Sequence, residues 1–301
     1  MDDTSQTVLR VNIPFCVNPC DWQPQCAVIP GWNSRRQHAY MQAVIAEISS
    51  NAQEFSDVQI MAVRLDGGLA SCVGEDIANV MKCIRQSFTV IDAAPVTMRT
   101  GLGNISGANM TWFKRAGITR YDLEMMSLTE HDFYLLNKND SIKDYQVAID
   151  YILRSYANEN LGLYLAWGLA AKSAARTVQN FRNSVLAVVR SHAVHLVLLP
   201  YAGGSGATDE QRMIMLSQAR ELLTEGDFNE YLPLHFARPG HEDRYFKAHF
   251  AGVRELAFGL AAQTRVDGAI SANTSDFGRY LSNSSDYSRI TVDIRPIGLA
   301  L

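Results

Sequence analysis

A chain of 301 residues, 47% apolar and 19% charged, carries enough apolar material for one barrel-sized core or two smaller ones, and reads as an ordinary globular protein. Its formal net charge of -4 argues against a sequence-independent grip on phosphate backbones, so nucleic acid is not expected as a partner. The start MDDTSQTVLR is acidic and polar, and no run reaches the roughly 18 apolar residues of a membrane span, so the expectation is a cytoplasmic protein without an integral membrane segment.

The first strand candidate is TVLRVNI, residues 7–13, which runs into IPFCVNPCDWQPQC. That stretch holds three of the five cysteines, Cys16, Cys20 and Cys26, in a loop stiffened by Pro14, Pro19 and Pro24. An odd number of cysteines in a long chain predicts reduced thiols rather than a disulfide framework. A helical pattern follows over 35–53. The second strand candidate, VQIMAVRL at 58–65, leads into the turn LDGGLAS at 65–71. Further along, helical patterns cover 74–88, 106–116, 129–138, 143–157, 172–190 and 208–225. Strand-like runs lie at 95–100, 118–126, 161–168 and 194–200.

Strand and helix thus alternate about six times, which predicts a parallel sheet with right-handed crossovers. Six units fall short of the eight of a closed barrel, so the pattern suits an open partial barrel or a doubly wound sheet. After about residue 226 the rhythm changes to a mixture of aromatic, charged and Ser/Asn/Gly residues. The predicted organisation is a wound α/β region over 1–226 and a small mixed appendage over 227–301.

The thiol loop follows the first strand, at the carboxyl edge where parallel α/β sheets place their chemistry. Three soft thiolates with no fourth nearby match an iron–sulfur cluster with one iron open to an outside ligand; zinc with a fourth ligand from a distant His or Asp is the competing assignment. Cys72 and Cys83 are expected to pack rather than ligate. The Gly-rich run YAGGSGATDE at 201–210 stands where a phosphate loop would, but it lacks the lysine and reads as a strand-to-helix turn. His38, His131, His192 and His195 are isolated and are expected to satisfy local hydrogen bonds.

IPFC-x3-C resembles the radical S-adenosylmethionine superfamily, in the branch of the oxygen-independent coproporphyrinogen oxidases and their haem-chaperone relatives. LDGGLAS, WFKRAGITRYDLEMMSL at 112–128, LGLYLAWGL at 161–169, HLVLLPY at 195–201 and FARPGHEDR at 236–244 resemble segments of that branch in the same order. The resemblance implies a partial (βα)6 barrel in which Cys16, Cys20 and Cys26 ligate a [4Fe-4S] cluster. It further implies S-adenosylmethionine on the open iron, reductively cleaved to act on a small-molecule substrate, with flavodoxin or ferredoxin as electron donor. Gly67 and Gly68 would then give close backbone approach to the methionine end, and Phe15 or Trp22 an apolar wall.

This sequence departs from the branch at several positions. The family spacing is Cys-x3-Cys-x2-Cys, whereas here Gln23 follows Trp22 and the next thiol is Cys26. Arg10 and Asn12 stand for a tyrosine and a histidine, Asp66 for a glycine, Arg99 for an acid, Met126 for a glutamine and Tyr164 for an aspartate. Two readings remain open. One is a divergent radical enzyme with a modified pocket of Asp66, Arg99 and Met126, performing methyl transfer or carbon–carbon bond chemistry, in which Arg99 meets a carboxylate and Asp66 a ribose or amine. The other is a cluster-binding protein that has lost cofactor cleavage and serves electron transfer, a scaffold or tetrapyrrole binding.

Overall fold

The computed structural model describes residues 6–16, 33–136, 141–155, 161–204, 206–282 and 290–291. Six strands form its centre: β1 (Gln6–Ile13), β2 (Gln59–Gly67), β4 (Val96–Thr100), β5 (Arg120–Met126), β6 (Leu161–Trp167) and β7 (His195–Pro200). They pair in that order and are parallel throughout; a short β3 (Thr89–Val90) pairs with the start of β2. The crossovers carry α1 (Ser34–Asn51), α2 (Asp76–Ser87), α3 (Gly107–Ala116), α4 (Glu130–Leu135), α5 (Ile142–Ser155), α6 (Ala174–Arg190) and α7 (Asp209–Glu225).

Local chemistry explains why these helices start and stop where the sequence predicts. Ser106 and Ser173 accept from the backbone N–H groups of Asn109 and Arg176, and Thr208 with Gln211 forms a reciprocal capping box. Gly117, at φ +76°, closes α3 in the left-handed conformation that favours a residue without Cβ.

Alternation along the strands separates two chemistries. One face sends Leu9, Val11, Ile13, Leu65, Leu123 and Leu163 into the core beneath the helices, against residues such as Tyr40, Val44, Ile84 and Val185. The other, inner face carries Arg10 and Asn12 on β1, Arg64 and Asp66 on β2, and Arg99 on β4. It continues with Asp122 and Glu124 on β5, Gly162 and Tyr164 on β6, and His195 on β7.

Past residue 226 the chain extends both edges of this same sheet. β8 (Asn229–Leu232) and β9 (His235–Ala237) form a hairpin antiparallel to β7. α8 (Arg244–Phe250) then crosses the inner face, where Tyr245 and Ala248 pack on Val8 and Ala62. β10 (Arg254–Phe258) joins β1 in parallel, followed by β11 (Gln263–Val266), β12 (Ala269–Ala272), α9 (Phe277–Ser282) and β13 (Ile290–Thr291). The sheet runs from β13 to β8 without closing, an open partial barrel of six βα units with added edge strands.

Glu47 of α1, fully buried, fastens the β1 edge. Its carboxylate accepts from Gly259 N (2.8 Å), Tyr280 Oη (2.8 Å) and Asn273 Nδ2 (2.6 Å). Three charge-assisted hydrogen bonds offset the cost of placing an acid in the core. No described helix is long and apolar enough to cross a membrane.

Candidate functional site

Cys16 lies three residues beyond β1, at the carboxyl edge of the sheet, and is buried. The backbone just before it is held from two sides. Leu69 N donates to Phe15 O at 2.8 Å, Tyr40 Oη donates to Asn12 O at 2.6 Å and accepts from Leu260 N at 2.9 Å, and Asn12 Nδ2 donates to Leu260 O. Gly67, at φ +100°, and Gly68 close this junction, since a Cβ on the first would overlap Asn12 Oδ1 and one on the second would overlap Phe15 O. The glycine pair therefore packs β2 against the entry to the thiol loop. Phe15 is buried in the helix-side core, edge-on to Tyr40 with ring centroids 5.2 Å apart. Cys20, Trp22 and Cys26 lie outside the described residues.

The other two thiols pack as the sequence predicts. Burial, only partly offset by a hydrogen bond with Gln37, pushes the Cys72 thiol up to about 12, so it stays protonated and is a poor ligand. Cys83 sits in the core with its sulfur toward Ile45 O at 3.7 Å. Among the described residues no group of three His, Cys, Asp or Glu side chains stands together as a metal cage.

Arg64 dominates the inner face and is absent from the sequence-based site assignment. Its side chain is 0% exposed. Nε donates to Asp66 Oδ2 at 2.7 Å, Nη1 to Asp243 Oδ2 at 3.2 Å, and Nη2 to both Asp122 Oδ2 at 3.0 Å and Tyr164 Oη at 2.5 Å. Its guanidinium also lies 4.1 Å from the Phe246 ring centroid. Arg10 pairs with Asp66 at 2.5 Å, and Arg120 lies 3.7 Å from Asp243. Burial alone would raise the Asp66 carboxyl, but Arg10 and Arg64 outweigh it and hold the group at about 2. Asp243 also caps α8, accepting from Phe246 N, so the network ties α8 to the inner face.

Arg99 pairs with the protein's own Glu124 at 2.9 Å. Its guanidinium sits 5.0 Å from the Tyr164 ring centroid. Met126 ends β5 in a left-handed conformation, φ 65°, beside a register shift against β6, and is buried among Tyr164, Ala166, Leu169, Val197 and Tyr201. A long side chain held at positive φ costs of order 1–3 kcal/mol, which the packing of that cluster must supply. Arg212 fastens the turn from β7 into α7, its guanidinium donating to Tyr201 O at 2.6 Å and Ala207 O at 3.1 Å.

A buried thiol at the sheet mouth, on a backbone clamped to its neighbours, suits a thiolate ligand of an iron–sulfur cluster. On the inner face Asp66 is engaged by Arg10 and Arg64, and Glu124 by Arg99.

The sequence matches no protein-family model and no curated protein. The fold, in contrast, is one known from radical S-adenosylmethionine enzymes. It superposes on "Coproporphyrinogen III oxidase (HemN) from Escherichia coli is a Radical SAM enzyme" with a TM-score of 0.80 at 16% identity, covering 96% of this chain and 71% of that one. Methylornithine synthase (PylB) gives a TM-score of 0.50 at 10% identity over 73% of this chain and 63% of its own. The structure described as anSMEcpe with bound AdoMet gives 0.50 at 9% identity, over 73% and 58%. The superpositions support the partial-barrel architecture over a doubly wound sheet.

Proposed function

We propose that this chain is a divergent radical S-adenosylmethionine iron–sulfur enzyme in which Cys16, Cys20 and Cys26 hold a [4Fe-4S] cluster at the mouth of the partial barrel. S-adenosylmethionine on the open iron would supply the radical chemistry, acting on a small molecule, with flavodoxin or ferredoxin as the electron source. The observation that carries this reading is the position of Cys16: a buried thiol just past the carboxyl end of the first of six parallel strands, with Gly67 at the end of the adjacent strand and Gly68 after it closed against Asn12 and Phe15. That is where a wound sheet concentrates its reactive groups. The chain's own residues contribute a fixed anchor for the first ligand and an interior whose charges are paired.

The inner face favours a second reading. Because Asp66 and Glu124 are each held by arginine, a protein that keeps the cluster for electron transfer, as a scaffold or for tetrapyrrole binding, without cofactor cleavage, is consistent with the same geometry. Anaerobic reconstitution followed by reduction with S-adenosylmethionine separates the two. The first reading predicts 5'-deoxyadenosine from the cluster-loaded protein and none from Cys16→Ser. A loaded, reducible cluster that yields no 5'-deoxyadenosine supports the second.

A further inference from the structure

Across the inner face, Asp122 of β5, Gly162 of β6 and His195 of β7 stand in register on adjacent strands. Both flanking side chains are 0% exposed. Asp122 Oδ1 and His195 Nδ1 face each other at 4.0 Å, and neither has a hydrogen-bond partner among the described residues. The intervening residue makes this possible. A Cβ at Gly162 would overlap Asp122 Oδ1 and lie 3.5 Å from His195 Nδ1, so any larger residue would fill the space between them. On its other side His195 Nε2 lies 2.8 Å from Tyr231 Oη, and Tyr231 is half-buried on the β8–β9 hairpin, where it also accepts from Asp243 N at 3.3 Å.

We propose that Asp122, His195 and Tyr231 form a buried proton relay, with one proton held between Asp122 Oδ1 and His195 Nδ1, linking the centre of the inner face to solvent at the β8–β9 hairpin. Two orphaned polar atoms in the same dry space cost several kcal/mol between them unless they satisfy each other. One proton does that for both, whereas none leaves two acceptors facing and two leaves opposed donors. The separation exceeds an ordinary hydrogen bond by about 1 Å, which a small rotation of either group closes.

The surroundings favour the same count. Facing the pair are Arg64 and Asp66 from β2, Arg99 from β4, Arg120 from β5, Tyr164 from β6, Tyr231 from β8, His235 from β9 and Asp243 ahead of α8. Burial, with Arg120, His235 and Arg64 adding to it, drives the His195 imidazole well below its usual value and so excludes a second imidazole proton. Burial also raises the Asp122 carboxyl, Arg64 opposing it. In the relay step the proton leaving Asp122 Oδ1 bonds to His195 Nδ1 as the Nε2 proton passes to Tyr231 Oη, whose hydroxyl proton goes to water. No electron changes place, and the step needs no cofactor. The inference is independent of whether the thiol loop holds a cluster. The relay enters from the hairpin side, so it is a route by which the interior could exchange a proton with solvent without using the thiol loop.

The test is proton NMR on the full chain labelled with 15N-histidine, since only seven histidines contribute. The relay predicts one exchange-protected downfield proton on His195, lost in His195→Asn, and Tyr231→Phe slowing its exchange with water by about tenfold, the factor one ordinary hydrogen bond is worth. Tyr231→Phe removes a single hydroxyl, so folding is retained, and the shift it causes at the His195 15N nuclei assigns the signal even if His195→Asn is unstable. Absence of a protected His195 proton, or exchange that is unchanged or faster in Tyr231→Phe, overturns the proposal.

Discussion

Replacing Arg64 with methionine, which keeps much of the side chain's volume and removes its charge, tests the energetics of the inner face most sharply. The guanidinium serves Asp66, Asp122, Asp243 and Tyr164 at once. After its loss Asp66 keeps Arg10 and Asp243 keeps Arg120, but Asp122 loses its hydrogen-bonded cation and keeps only the more distant charge of Arg120 and His195 at 4.0 Å. Burial then drives Asp122 further toward its protonated form and leaves a buried carboxyl short of hydrogen-bond partners, a defect that costs about 1–3 kcal/mol. Urea unfolding followed by circular dichroism should show that loss as a lower midpoint with little change in slope. Adding Asp122→Asn to Arg64→Met replaces the under-partnered carboxyl by a neutral amide and should recover about 1 kcal/mol, a coupling expected of residues in direct contact. Arg64→Lys, which keeps the charge but not the planar fork, should fall between wild type and Arg64→Met. A single variant that unfolds at the wild-type midpoint, or a double variant with strictly additive effects, would refute the claim that Arg64 compensates Asp122.

Three further outcomes follow from other parts of the molecule. Because Asp66 is held at about 2, against 3.8 unfolded, its contribution is fully present above pH 3.8 and lost as pH falls toward 2; that amounts to about 2 kcal/mol, and stability measured across this window should be flatter in Asp66→Asn. Glu47→Ala removes the acceptor for Gly259, Asn273 and Tyr280; it should cost about 2–4 kcal/mol and open the segment from β10 to α9 to limited proteolysis before the centre of the sheet. Gly68→Ala drives a Cβ into Phe15 O, so the thiol-loop entry must shift and iron loading should fall while far-ultraviolet circular dichroism stays native.

Most of the wound sheet is legible in the sequence because its signals are local. Runs such as VQIMAVRL are β-rich, and Ser106, Ser173, Thr208 and Gly117 mark helix ends by cap chemistry that needs no tertiary context. The tail is not, because β9 pairs with β7 and β10 with β1 through contacts distant in sequence, which no local pattern encodes. At the site, Cys16, Gly67 and Gly68 carry motif information and sit together at the sheet mouth. Arg64 was hidden because an arginine within an apolar strand reads as an exposed position. The available signal was its alternation: Ala62, Arg64 and Asp66 share one face, and the acids Asp122 and Glu124 share the matching face of β5. Met126 gave no warning at all, since its strained conformation is imposed by the register shift beside β6. The partners of Asp66 are Arg10 and Arg64, level with each other one alternation step before it on the same face, a pairing visible only once β1 and β2 are in register.

The most direct test of the central claim is the iron and acid-labile sulfide content of the full chain after anaerobic reconstitution, read alongside the electron paramagnetic resonance of the reduced protein. The account predicts about four of each per chain and a [4Fe-4S] signal, both abolished in Cys16→Ser and in Cys26→Ala. Protein that takes up no iron, or variants that keep the full complement, would contradict it.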